Sequence, residues 1–180
     1  KMKQYNDQYK RLDALFSDVT EHQDFNGNIL ILENGKTLYK NTIGYSNLQT
    51  REPLTDDTVF ELASVSKAFT AMGIMILQEK GKLDYDDTID HFVPDFPYQH
   101  RTIHQLLTHT SGLPDYIKLF DEHWAKTKVA TNQDVLDQLQ QHQPKPLFQP
   151  NERYEYSNTG YVLLASIIEC ITDVSFSDFM

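Results

Sequence analysis

The 180-residue sequence has one cysteine, Cys170, so the chain contains no internal disulfide. It lacks basic charge. Sixteen Lys and Arg stand against 26 Asp and Glu, a formal net charge of −10, and an acidic chain repels phosphate backbones, which argues against a nucleic-acid partner. The deficit is greatest over residues 51–100, where ten acidic residues face four basic ones. Long apolar runs are missing too. The strongest, Ile29–Leu32 and Ile74–Leu77, have four residues each, against the roughly 20 needed to span a bilayer, so no transmembrane segment is expected. Seven glycines and seven prolines are ordinary counts, no internal repeat is visible, and aromatics at 12% argue against disorder. The chain opens at Lys1 with no apolar signal core, the pattern of a processed start or a chain boundary.

What is present reads as one globular domain, or most of one, with enough length to bury roughly 70% of its unfolded surface. Tyr5, Tyr9, Leu12, Leu15, Phe16 and Val19 recur at helical spacing and predict an amphipathic helix over residues 4–22. Residues 28–33 and 36–43 are β-rich and flank Asn34-Gly35, the pair favoured where a type I′ turn needs two positive φ angles. A hairpin is expected there, and no other strand is convincing. Ser64 to Lys80 carries no charge between Lys67 and Glu79 and ends at Gly81 as a C-cap, which predicts a largely buried helix. Thr131 with Asp134 starts another helix, and the apolar stretch after Asn158 a third, with Pro144, Pro146 and Pro150 holding the connection between them extended. Ser175 with Asp178 has the form of a capping box, and the chain stops within one turn of it. An interrupted helix and a sheet of two strands lead us to expect the front portion of a longer fold.

Ser64 and Lys67, three apart, share one helix face. Serine needs a neighbour to take its proton, and a lysine in an uncharged, buried helix start loses solvation and can serve. A capped helix with a snorkelling lysine fits the same spacing. Tyr156 and Asn158 stand just before an apolar helix. A phenol beside an ammonium loses its proton more readily, and a carboxamide offers both a donor and an acceptor to a substrate. Here the alternative is that Asn158 is an N-cap and Tyr156 packs.

Together these residues resemble the serine β-lactamase and penicillin-binding-protein family, in particular the class C β-lactamase-like serine hydrolases. Phe60–Ala71 (FELASVSKAFTA), Gly81–Pro97 (GKLDYDDTIDHFVPDFP), Thr102–Tyr116 (TIHQLLTHTSGLPDY) and Phe148–Phe179 all look like that family and follow its order, so that residues 25–180 are covered. The resemblance implies an α/β fold of the α+β type, β-lactamase/transpeptidase-like, with a helical lobe beside an antiparallel sheet of which only the N-terminal hairpin is present. It implies one C-terminally incomplete domain over residues 1–180: 1–45 as the N-terminal helix and hairpin of the sheet lobe, 46–180 as the mainly helical lobe. It places Ser64 as the acyl-accepting nucleophile, Lys67 as its base and hydrogen-bond partner, Tyr156 as the second proton-transfer group, and Asn158 as the residue orienting substrate and Lys67. The reaction would be acyl transfer through a Ser64 ester and hydrolysis, on a small ester, a D-amino-acid peptide or a β-lactam, with no cofactor and no metal. The setting would be periplasmic or extracellular in a bacterium, and the partners a small-molecule or peptide substrate and a C-terminal segment completing the fold.

The family also carries a Lys- or His-Thr/Ser-Gly motif on a strand after the Tyr-x-Asn box, and this sequence has none. His109-Thr110-Ser111-Gly112 precedes Tyr156 and holds an extra residue, so it reads as the family's Leu-Leu-Thr-His-Thr-Ser-Gly-Leu structural turn. The missing strand would supply one of two oxyanion-hole amides, and losing such a donor costs roughly 10²- to 10³-fold in rate. The alternative function is a penicillin- or peptidoglycan-binding or sensing module without turnover. Asp84, Asp86, Asp87, Asp90 and Asp95 lack the spacing of a calcium loop and read as a solvated, capping cluster. His100 and His104 could share a helix face, but without the glutamate of a zinc helix they are not read as ligands. Cys170, among isoleucines, reads as a buried structural thiol, and Trp124 as a residue bordering the cleft.

Overall fold

The computed structural model describes residues 2–22, 25–125 and 127–180, with the side chains of the first helix described from Asp7 to Thr20. The side chain of Tyr5, expected on the apolar stripe, lies outside the described residues. The chain forms two compact units, residues 1–61 and 62–180.

The first unit contains α1 (Met2–His22), β1 (Gly27–Glu33), β2 (Lys36–Ile43), β3 (Tyr45–Asn47) and β4 (Glu52–Pro53). β1 and β2 form the expected antiparallel hairpin, with Glu33 opposite Lys36. Its turn takes φ 50° at Asn34 and 74° at Gly35, the two positive angles that a type I′ turn requires. A bulge between Ile31 and Leu32 leaves Leu38 unpaired. α1 lies on β2 through Tyr39, which is 1% exposed. Phe16 stacks on that ring at 5.3 Å, and Asp13 Oδ1 accepts its phenol proton at 3.3 Å. The outer face of β1 keeps Leu30 and Leu32 exposed. The short β3–β4 ladder departs from the reading of a single hairpin. Strands of three and two residues are too brief to show alternation, and their turn is closed by Asn47 Oδ1 accepting from the amides of Gln49 and Thr50.

The second unit is helical: α2 (Ser66–Glu79), α3 (Ile89–Phe92), α4 (Ile103–Leu107), α5 (Tyr116–His123), α6 (Asn132–His142), α7 (Asn158–Thr172) and α8 (Phe176–Phe179). α7 is its axis. Leu163, Leu164, Ile167 and Ile168 are fully buried and share one core with Ile74 and Leu77 of α2, Leu106 of α4 and Leu139 of α6. The end signals operate as expected. Thr131 and Asp134 form a capping box at α6, and the Ser175 hydroxyl accepts the Asp178 amide at α8. Gly81 closes α2 at φ 64°, donating to Gln78 O while Lys82 donates to Leu77 O, the paired bonds of a Schellman motif. α2 itself needs correcting in two respects. It starts at Ser66 after a 3₁₀ turn at Ala63–Val65, and only one face is buried, since Phe69, Met72 and Met75 are about half exposed. An apolar composition all round is compatible with burial but does not supply the covering surface. Among the described residues, no helix is long and apolar enough to cross a membrane.

Candidate active site

The site is built where the 3₁₀ turn meets α2. Ala63 takes φ 45°, a left-handed angle that costs a non-glycine residue about 1 kcal/mol, and its carbonyl accepts from the Ser66 hydroxyl. Ser64 follows on the outside of this tight turn, exposed to solvent, with Lys67 three residues on. Tyr156 and Asn158 come from the start of α7, which is anchored at several points. The Ser157 hydroxyl caps the helix by accepting from Gly160 N at 3.1 Å. Buried Thr159 donates to Pro114 O at 2.7 Å and accepts from Tyr116 N at 3.0 Å. Tyr161 donates to Leu107 O at 3.1 Å.

These anchors bring all four sequence-predicted residues together. Ser64 Oγ and the Tyr156 hydroxyl are 2.6 Å apart. Lys67 Nζ donates to Asn158 Oδ1 at 2.8 Å and to Ser64 Oγ at 3.3 Å, and it stands 4.8 Å from the centre of the Tyr156 ring. Because Ser157 supplies the cap, the Asn158 carboxamide is turned to Lys67 and not to the helix end. Hydrogen bonding from Lys67, then from Ser64, together with the Lys67 charge, holds the Tyr156 phenol below its ordinary pKa of 10.0. A hydroxyl is thus in contact with a phenol of raised acidity, while the Lys67 amine reaches the side-chain oxygens of Ser64 and Asn158. A cavity of about 70 Å³ opens beside Tyr156, bordered by Gly112, Leu113 and Phe148.

His109 went unrecognised in the sequence, where it belongs to a structural turn. Its ring stacks on Tyr156 at 4.7 Å, and its Nδ1 accepts the Ser157 amide at 3.0 Å. The Leu-Leu-Thr-His-Thr-Ser-Gly-Leu segment was the one available signal. The remaining candidates lie apart from the four. Trp124 stacks on Phe120 and donates to Lys128 O at 2.8 Å. Cys170 is exposed, not buried, since it lies on the outer side of α7 with its thiol toward Phe92 O. His100 precedes α4 with φ 63°, so it does not share a helix face with His104. Asp84 and Asp87 accept loop amides, and Asp90 accepts the His100 amide, the first cause of its lowered pKa.

A helical unit presenting Ser, Lys, Tyr and Asn in this order, with a helix and antiparallel strands preceding it, has the β-lactamase/transpeptidase fold. The family model described as Beta-lactamase matches residues 12–180, and the chain belongs to that family. It is 48% identical over 171 residues to "Penicillin-binding protein 4*" of Bacillus subtilis (strain 168), covering 95% of this chain but 38% of that protein. The structure of a penicillin binding protein from Bacillus halodurans superimposes with a TM-score of 0.78 at 30% identity, covering 91% of this chain and 50% of that one. A D-amino acid amidase from Ochrobactrum anthropi SV3 gives 0.71 at 34% identity, covering 83% and 41%. The chain therefore spans half or less of the length of these relatives.

Proposed function

We propose that the chain carries the acylation centre of a serine hydrolase, with Ser64 as nucleophile. Ser64 Oγ attacks the acyl carbonyl carbon and its proton passes to the Tyr156 oxygen. Lys67, the base that the resemblance implies, donates to Ser64 in this arrangement, so it stabilises the developing negative charge and returns protons through the same hydrogen-bond set. The tetrahedral adduct collapses with cleavage of the bond to the leaving group, which takes the proton, and water then hydrolyses the Ser64 ester. Asn158 holds Lys67 in place and offers its amide to the substrate. Proton-transfer groups of this kind contribute about 10²- to 10⁴-fold each.

The observation that carries this reading is the 2.6 Å contact between Ser64 and Tyr156, bridged by Lys67 to Asn158. For the substrate we favour a D-amino-acid peptide or a small ester over a dedicated β-lactam target. The D-amino acid amidase among its relatives supports a D-amino-acyl group, whereas the name of the penicillin-binding protein supports recognition of a β-lactam at the same centre. A fluorescent penicillin or fluorophosphonate should label the full-length protein, and Ser64→Ala should abolish labelling. A full-length protein that resists every acylating probe with Ser64 intact would refute the reading.

A further inference from the structure

His109 meets the segment carrying Tyr156 at both of its ends. The amide of Glu155 donates to His109 O at 2.9 Å, and that of Ser157 to His109 Nδ1 at 3.0 Å. Between these two bonds the Tyr156 ring lies on the imidazole at 4.7 Å with 29° between the planes. Tyr161 of α7 packs at 5.1 Å, and Tyr154 meets the imidazole edge-on at 5.8 Å. The His109 backbone takes φ 59°, a region in which His, Asn and Asp are enriched among non-glycine residues. One residue therefore holds both neighbours of Tyr156, Glu155 through its backbone carbonyl and Ser157 through its imidazole, and that imidazole also sets the tilt of the Tyr156 ring.

The bond from Ser157 carries a chemical condition. A backbone amide only donates, so Nδ1 must present its lone pair, and the neutral ring then carries its proton on Nε2. Protonating Nδ1 would set N–H against N–H and add a second cation near Lys67. Burial and the Lys67 charge accordingly depress the His109 pKa. The titratable and charged groups around the ring are Lys67 of α2, Tyr154 and Tyr156 of the adjoining segment, and Tyr161 of α7. On that same segment Glu155 and Arg153 pair with each other at 3.1 Å.

We infer that His109 is a positioning residue which holds Tyr156 against Ser64 only while its imidazole is neutral, so that acylation fails when the ring takes up a proton. This rests on the acyl-transfer reading above, since it assigns a consequence to the placement of Tyr156.

The test compares full-length wild-type protein with His109→Asn and His109→Ala, reading the second-order rate of fluorophosphonate labelling between about pH 4 and 9. Beyond the decline set by the Tyr156 phenol, wild type should show an added acid limb, a steepening with a midpoint below about 6.5. Asparagine keeps an acceptor oxygen and tolerates the left-handed backbone but does not titrate over this range. His109→Asn should therefore abolish the acid limb and recover most of the about 10- to 100-fold loss expected of His109→Ala above the limb. An added limb that persists in His109→Asn, or an asparagine variant as slow as the alanine one, overturns the inference. A second measurement needs no chemistry. In Ser64→Ala protein, followed by NMR, the titration of the His109 ring should coincide with displacement of the Ser157 amide resonance. A Ser157 resonance indifferent to that titration overturns the inference as well. Failure of all acylating probes would instead strike the acyl-transfer reading, leaving the NMR outcome to decide the role of His109.

Discussion

At the scale of single residues, the site turns on a phenol made more acidic by its neighbours. The leading cause is hydrogen bonding from Lys67, followed by Ser64, with the Lys67 charge acting in the same direction. In the proposed mechanism the deprotonated phenol accepts the Ser64 proton, so the acylation rate should rise with pH through the Tyr156 pKa, at a midpoint below the ordinary 10.0. Lys67→Ala removes the leading cause. It should slow labelling by about 10²-fold or more and move the basic midpoint upward, as a pH–rate profile would read. A midpoint that stays in place, or moves down, would show that Lys67 does not tune the phenol. Ser64 and Lys67 were legible in the sequence because a spacing of three across helical turns makes side chains neighbours, and Tyr156 and Asn158 were legible through the motif that resembles the family. Two matters were not legible. Ser157 and Asn158 are both good N-caps, so only coordinates show that the serine caps and the asparagine reaches Lys67. The stacking of His109 on Tyr156 joins residues far apart in the chain, a pairing for which no local periodicity exists.

At the scale of elements, the site depends on how the start of α7 is held against the turn at residues 109–112. Gly112 sits there at φ 68°, and a Cβ built on it would come within 2.1 Å of Phe148 O. That obstacle is backbone, not the end of a flexible side chain. Gly112→Ala should therefore cost about 3 kcal/mol, combining strain at positive φ with overpacking, and denaturant titration would reveal it. A loss under about 0.5 kcal/mol would mean that the turn relaxes freely. Ser157→Ala, which removes only the cap of α7, should cost about 1 kcal/mol. Helix ends were readable from the sequence wherever a side chain performs the capping, as at Thr131 with Asp134 and at Ser175. Thr102 and Gln105 form a capping box of the same kind at α4. That helix is five residues long, and so short an apolar pattern does not declare its period. The 3₁₀ turn before α2 was hidden for another reason: an alanine at φ 45° follows from its surroundings and not from its own preference.

For the whole chain, the two units differ in how they bury apolar surface, and this sets where it should open first. In residues 62–180 the core is continuous, and α7 passes through it with Leu163, Leu164, Ile167 and Ile168 fully buried. In residues 1–61 the β1–β2 hairpin is a two-stranded sheet with α1 on Tyr39, and Leu30 and Leu32 remain 59% and 58% exposed. Each strand of such a hairpin pairs on one side only, and isolated hairpins are marginal in water. Local opening draws on regions with few buried apolar contacts and exposed backbone hydrogen bonds. Native-state hydrogen exchange on the 180-residue chain should therefore find the central amides of α7 the most protected. Those of β1 and β2 should exchange at least about 100-fold faster, equivalent to an opening free energy roughly 2.7 kcal/mol lower. Equal protection in the two places would show that the hairpin opens only when the α7 core does. A dimer of this chain that covers the exposed leucines would restore protection in proportion to concentration, so the measurement is made across a dilution series, and rates independent of dilution assign the difference to the fold itself.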